Sequence, residues 1–314
     1  PMIQAAPQQH PRLRALLARS FPPRRIASLE APMHELARPL LANIAAKLGR
    51  GESADFYADF ASPLPVSVIA QLLGIPSEYF GRLNLWNQTL GVTGQLADAA
   101  TRSGMNNEMN ETLAMLIEQK RSEPADDLIS SLVSIVDEGG ERLREDELLG
   151  FCKLLWIAGN ETTTNLICNA AVFLQEHPDV TDFLRADKKQ ITRFVEEALR
   201  MEGPVNGLFR RVTQDANYKG CQLKAGDNVW LLYGSANRDK SQCENAGEFS
   251  IEREHNHHLA FGKGIHFCIG APLARMEARI AFEHLVDVLP TYQIHAKLGK
   301  RLPIPVLRGW LSLP

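Results

Sequence analysis

One helical pattern runs unbroken from about Arg144 to His177, and at 1.5 Å per residue it extends roughly 50 Å. A helix of that length crosses a whole domain, so in a chain of 314 residues the other elements have to be laid around it. Its middle reads Ala158-Gly159-Asn160-Glu161-Thr162-Thr163-Thr164, which is poor helix material: a glycine, an asparagine and three β-branched residues. Something other than propensity selected it. Two readings account for the stretch. Either the glycine admits a flat ligand, with a threonine hydroxyl bonding back to the carbonyl four residues earlier and opening the turn, or small residues let a neighbouring helix pack closely.

A second stretch, Phe261-Gly262-Lys263-Gly264-Ile265-His266-Phe267-Cys268-Ile269-Gly270, has the build of a metal–thiolate site. Its three glycines let the backbone bend tightly and approach a flat ligand. Pro272 suits the first turn of a helix, which puts Cys268 just before a helix N-terminus, where unpaired N–H groups and the dipole favour thiolate. Such a thiolate can bind iron. Taken alone, the residues also suit a buried structural cysteine, the commonest fate of a single Cys, or a zinc site drawn from His255, His257, His258, His266 and Cys268.

Composition narrows the classes. The net charge of −3 offers no support for a nucleic-acid-binding surface. Five cysteines without regular spacing do not read as a disulfide framework, so a reducing, cytoplasmic setting is expected. No secretion signal is visible, and charges such as Lys153 interrupt the apolar stretches, so no membrane span is expected.

The remaining segments fall into order around these two. His10 to Arg19 reads as a helix ending near Pro22-Pro23, with His10 and Arg14 one turn apart on a shared face, either a solvated basic end or a pair gripping one ligand. Residues 26–122 read as successive helices, Asp126-Asp127 as the capped start of a helix at Leu128, and Gly139-Gly140 as its stop. Glu197 and Arg200 stand at salt-bridge spacing on a later helix. Past Gly203-Pro204 the pattern becomes short strands, Leu208 to Arg210 and Val229 to Leu232, with Gly220, Gly226 and Gly234 as turns. A helix from Pro272 to about Leu289 follows the cysteine loop, and short strands are expected around Tyr292–His295 and Leu307–Leu313.

Together these motifs resemble the cytochrome P450 family. Phe261, Gly262, Gly264, His266, Cys268 and Gly270 match every fixed position of its haem loop, and Ala158-Gly159-x-Glu161-Thr162 matches its distal I-helix pattern. The resemblance implies a mainly α fold with small β-sheets, haem b lying between the long distal I helix and the proximal L helix. It implies one catalytic domain over 1–314, mostly helical over 1–203 with the sheet and haem-loop region over 204–314. That domain would be N-terminally incomplete, since the chain opens at Pro1 and family members carry several tens of residues before the His-x-x-x-Arg helix. Cys268 would be the iron ligand. His10, Arg14, Arg210 and His266 would hold the propionates, Arg210 being preferred to Arg211 because it precedes Asp215 by the family's five residues. Phe261, Gly262, Gly270, Ala158 and Gly159 would contact the haem, Glu161 would pass protons inward, Thr162 would stand beside dioxygen, and Glu197 with Arg200 would be structural. Cys243, Ala246 and Glu248 depart from the family pattern, which leaves the usual third partner of Glu197 and Arg200 open. Trp86, Leu90, Val92 and Leu96 fall in the region that roofs the family's substrate pocket, although core roles are the commoner fate of such residues.

The activity so implied is insertion of one oxygen atom from O2 into a small, mostly apolar organic substrate. Terpenoids, polyketides, fatty acids and aromatic compounds all qualify. Electrons would come from a ferredoxin or flavodoxin-type carrier with its reductase, docking on a basic surface that includes Arg12, Arg19, Lys263 and Arg275, and the protein would be a monomer. The alternatives are a truncated haem-binding protein without turnover and a peroxide-driven peroxygenase.

Overall fold

A computed structural model of the chain describes residues 2, 5–91, 97–242, 244–253 and 255–314. In chain order its helices are α1 (His10–Ser20), α2 (Pro23–Ala27), α3 (Glu30–Gly49), α4 (Pro63–Leu73), α5 (Phe80–Leu90), α6 (Ala99–Ser122), α7 (Leu128–Ser134), α8 (Glu145–Glu176), α9 (Pro178–Ala186), α10 (Ile191–Glu202), α11 (Tyr233–Ala236) and α12 (Ala271–Val288). A single π-helical turn, Tyr57–Ala61, leads into α4. The strands are β1 (Leu208–Arg211), β2 (Ala216–Tyr218), β3 (Cys221–Leu223), β4 (Asn228–Leu231), β5 (Lys300–Arg301) and β6 (Trp310–Ser312), paired antiparallel as β1–β4, β2–β3 and β5–β6.

The long helix expected from the sequence is α8, and it packs against α4, α5, α6, α10 and α12. Glu145, Asp146 and Glu147 fill its first turn, where negative charge offsets the positive end of the helix dipole. Glu147 also accepts the N–H of Arg144 at 2.9 Å, closing a capping box. Along its length Phe151, Trp156, Leu166 and Ile167 are buried. Each such aliphatic or Phe side chain contributes about 1.5–3 kcal/mol relative to exposure. Phe194 of α10 meets Phe282 of α12 edge to face at 5.1 Å, which joins the two helices flanking the cysteine loop. Among the described residues no helix is long and apolar enough to cross a membrane.

Several boundaries differ from expectation for local reasons. Asp127 does cap α7, accepting the N–H of Ser130 at 2.8 Å. The helix ends at Ser134, however, ahead of Gly139-Gly140: Asp137 accepts the N–H groups of Gly139 and Glu141, making a turn closed by a bridge from Val136 to Arg142. Gly234 lies in the short helix α11 and not in a strand turn. The β2–β3 hairpin turns through Lys219 and Gly220, both at positive φ, the conformation that a two-residue hairpin loop needs. Tyr292–His295 forms no strand; β6 pairs instead with Lys300–Arg301, and His295 donates its N–H to the carbonyl of Pro314.

The charged pair of α10 is buried outright, with Glu197 0% and Arg200 1% side-chain exposed. Arg200 grips Glu197 through two N–H groups at 2.8 and 2.7 Å and gives the others to the carbonyls of Asn237, Ala246 and Glu248. The open third partner is Arg253, whose Nε donates to Glu197 at 3.1 Å, and the Ser250 N–H and Asn256 amide add further bonds. Burial opposes ionisation of Glu197, but these donors outweigh it and hold its pKa below the usual 4.5. The stability that this group contributes is therefore complete above pH 4.5 and is lost as pH falls through the lowered value. Glu197→Ala, which leaves Arg200 buried without its carboxylate, should cost about 3–5 kcal/mol in urea unfolding; a loss under about 1 kcal/mol would show that the pair is dispensable.

Candidate functional site

The loop before α12 is bent by Gly262 and Gly264, at φ 71° and 69°. Its fold is closed by Cys268 donating its N–H to the carbonyl of Phe261 at 2.9 Å and Phe267 to that of Gly264 at 3.0 Å. Gly270, at φ −83°, needs no glycine-specific conformation; it caps α12 with its missing side chain directed 3.9 Å from the Cys268 sulfur. The thiol of Cys268 is solvent-accessible yet closely surrounded by protein. Burial pushes its pKa up, against the pull of the Gly270 and Ala271 N–H groups and the charges of Arg14 and Arg275. The N–H groups at the head of α12 thus pull toward thiolate, and burial opposes them. Ile265 and Phe267 beside it are exposed, 71% and 39%.

Four cationic or titratable side chains from three elements converge on this loop. The His10 ring of α1 meets the His266 ring at 4.5 Å. Burial lowers the pKa of His266, and the neighbouring His10, Arg210 and Arg14 lower it further, which puts all four in one neighbourhood. Among the described residues neither Arg14 nor Arg210 forms an ion pair, and Arg210 bonds only the adjacent carbonyl of Phe209. Arg211 is exposed and directed toward Gly226, so Arg210 is the inward arginine of β1. Such a cluster selects an anion.

On α8 the Thr162 hydroxyl donates to the carbonyl of Ala158 at 2.8 Å, the back-bond anticipated for it. Ala158 is exposed and Thr162 half-buried in the middle of an otherwise buried helix, so these two residues, one turn apart, form an open face. Gly159 serves the other side, where a Cβ would lie 2.6 Å from Cδ1 of Ile69 on α4. Close packing against Ile69 accounts for a glycine at 159. Glu161 is buried, and a Cβ on Gly91 would come within 2.9 Å of its carboxylate. Tyr57, from the π-helical turn, was not foreseen; burial raises its phenol pKa and the charge of Glu161 adds to the rise.

Arg275 of α12 makes a two-point bond to Glu196 at 2.6 and 2.9 Å and lies 4.6 Å over the Phe261 ring, tying the loop to α10. Burial opposes ionisation of Glu196, yet hydrogen bonds from His258 and Arg275 pull its pKa down to about 2. Neither role of Glu196 nor that of Arg253 was visible in sequence, because a lone charge on an amphipathic helix carries no mark of its partner. Of the four cations expected on a docking surface, Arg12 is likewise paired, with Asp137 and Glu147, whereas Arg19 and Lys263 remain exposed. Trp86 is core, its indole N–H bonded to Glu108, and Leu90 is half-buried; Val92, Leu96 and Cys243 lie outside the described residues. Among the described residues no group of three His, Cys, Asp or Glu side chains is arranged to hold a metal, which leaves the zinc reading without a ligand set.

Comparison with known proteins places the site in context. The family model for cytochrome P450 matches residues 98–295. Cytochrome P450 monooxygenase PikC of Streptomyces venezuelae is 40% identical over 100% of this chain and 75% of its own length. The vitamin D(3) 25-hydroxylase of Pseudonocardia autotrophica is 39% identical over 100% and 77%. Among solved structures, the Bacillus subtilis cytochrome P450 PksS superposes with a TM-score of 0.92 at 36% identity, covering 99% of this chain and 80% of the other. CYP109E1 of Bacillus megaterium in complex with testosterone gives 0.89 at 36%, covering 99% and 85%.

The close approach of Ile69 to Gly159 can be checked directly. Gly159→Ala should destabilise the protein by about 1–3 kcal/mol through overpacking, and adding Ile69→Val, which deletes the contacting methyl, should recover part of that loss. Strictly additive effects in thermal unfolding would refute the contact.

Proposed function

The chain belongs to the cytochrome P450 family of oxidoreductases, and on that premise we propose that it binds haem b and inserts one oxygen atom of O2 into a small, mostly apolar organic substrate. The observation that carries this reading is the thiol of Cys268 at the head of α12, near two arginines, Arg14 and Arg210, that no carboxylate among the described residues neutralises. Those residues fit haem in three respects. Cys268 would supply a sulfur ligand to the iron, His10, Arg14, Arg210 and His266 would answer the propionates, and exposed Ile265 and Phe267 with Phe261, Gly262 and Gly270 would offer contact for a flat ring. Bound there, haem supplies the oxygen-activating chemistry, which thiolate ligation favours by directing electron density toward O–O cleavage.

The chain's own contribution is proton handling and exclusion of water. Because the Thr162 hydroxyl gives its hydrogen to the carbonyl of Ala158, its lone pairs are left to accept a hydrogen bond on the open face of α8. Glu161, the next residue back and buried, is suited to carry a proton inward at its carboxyl. Ala158 is small enough to leave room beside Thr162. Gly159 supports this face indirectly, by holding α8 against α4. Glu197 and Arg200 act structurally.

The relatives support a substrate class. Their names include a vitamin D(3) hydroxylase, a steroid C26-monooxygenase and a polyketide-biosynthesis enzyme, and bulky apolar skeletons of that kind are the class we assign here. Electrons would come from a separate ferredoxin or flavodoxin-type carrier, with Arg19 and Lys263 as its exposed cationic contacts. The acid–alcohol pair favours O2 over a peroxide-driven reaction. Thr162→Ala should keep haem and continue to consume electrons, while the fraction recovered in product falls on the order of tenfold or more, since positioned proton transfer is worth ~10²-fold or more. Unchanged coupling would remove Thr162 from the mechanism.

A further inference from the structure

Helices α3 and α12 pack against each other, and their contact contains a histidine pair. Nδ1 of His34 lies 2.9 Å from Nε2 of His284, with the rings at 69° and their centroids 5.1 Å apart. The other nitrogen of His34 faces Glu283 of α12 at 3.6 Å. Charged groups surround the pair. Arg279 of α12 bridges Glu30 of α3 and Glu283 at 2.6 Å each, Arg38 of α3 and Lys188 of the segment Lys188–Gln190 act on His284, and Lys188 is itself bonded to Asp287 at 2.6 Å.

A hydrogen bond between two imidazoles needs one N–H and one lone pair. Two neutral rings satisfy that requirement. So do one charged ring and one neutral ring, and a charged His34 would also present its second N–H to Glu283. Two charged rings cannot: both facing nitrogens then bear hydrogen, and two positive charges sit in contact with Arg38 and Lys188 nearby, while Glu283 is already shared with Arg279.

We propose that His34 and His284 form a proton-operated latch between α3 and α12, closed while the pair carries at most one added proton and released when both rings are charged. The setting supports the direction. Burial lowers the pKa of His284 from 6.5, and the charges of His34, Arg38 and Lys188 lower it further, against an opposing pull from Glu283. A depressed histidine value means that the unfolded state binds protons first. The stabilisation is complete above pH 6.5 and is lost as pH falls below it. Because α12 carries the cysteine loop at its N-terminus, release loosens the support behind Cys268.

The test is amide hydrogen exchange by mass spectrometry on the haem-loaded protein at about pH 7 and about pH 5.5, corrected for the intrinsic pH dependence of exchange. The variant is His284→Gln, whose amide can still donate to His34 but cannot become charged. In the unsubstituted protein, α3 and α12 should lose protection on acidification beyond the rest of the chain, and His284→Gln should reduce that loss several-fold. Equal losses in both proteins, or no selective loss in α3 and α12, would overturn the latch. Nitrogen NMR of histidine-labelled, unsubstituted protein counts the charged rings without relying on how the variant folds. At most one charged ring at about pH 6 supports the latch, and two charged rings in the folded protein there refute it.

Discussion

A carboxylate and a guanidinium sealed away from water on α10 organise the part of this protein that has least regular structure. Glu197 and Arg200 together bond Asn237, Ala246, Glu248, Ser250, Arg253 and Asn256, so one buried ion pair sets the path of a long irregular segment. That segment delivers the chain to the cysteine loop, where Asn237 again intervenes by accepting the N–H of Leu259 at 2.7 Å. The adjacent acid, Glu196, holds the far side of the loop through Arg275. Removing charges from water is costly unless every donor and acceptor is answered. Here the answered bonds fix a loop that neither helix nor sheet could hold.

The second organising element is α8, whose middle serves two neighbours at once. Gly159 lets Ile69 approach on one side, and Ala158 with Thr162 leaves the other side open. Weak helix propensity over this stretch is tolerated because tertiary packing on both flanks carries the helix across it. The back-bond from Thr162 orients a hydroxyl on the open face of the helix middle.

Much of this was legible in the sequence. The span of α8, the start of α7 at Asp127, the helix after Pro272 and the convergence of His10, Arg14 and His266 on the cysteine loop all follow from local rules of periodicity and capping or from a family resemblance. What was not legible depends on partners distant in sequence. Arg253 as third partner, Glu196 under Arg275, and the commitment of Arg12 to Asp137 each require knowing which helices meet. Gly159 is the instructive case, since its type fitted two readings and the Ile69 contact that supports close packing could not be read from the sequence. The strand misplaced at Tyr292–His295 failed for a related reason: β6 chose its partner by tertiary position, not by local pattern.

The central claim is that Cys268 is a haem-iron ligand in its thiolate form. The most direct measurement is the visible spectrum of the purified, reduced protein with and without carbon monoxide. Bound haem is predicted, with the red-shifted Soret band that marks thiolate ligation, and that band should be lost in Cys268→Ala. Absence of haem, or a carbon monoxide band typical of a neutral thiol or histidine ligand, would contradict the claim.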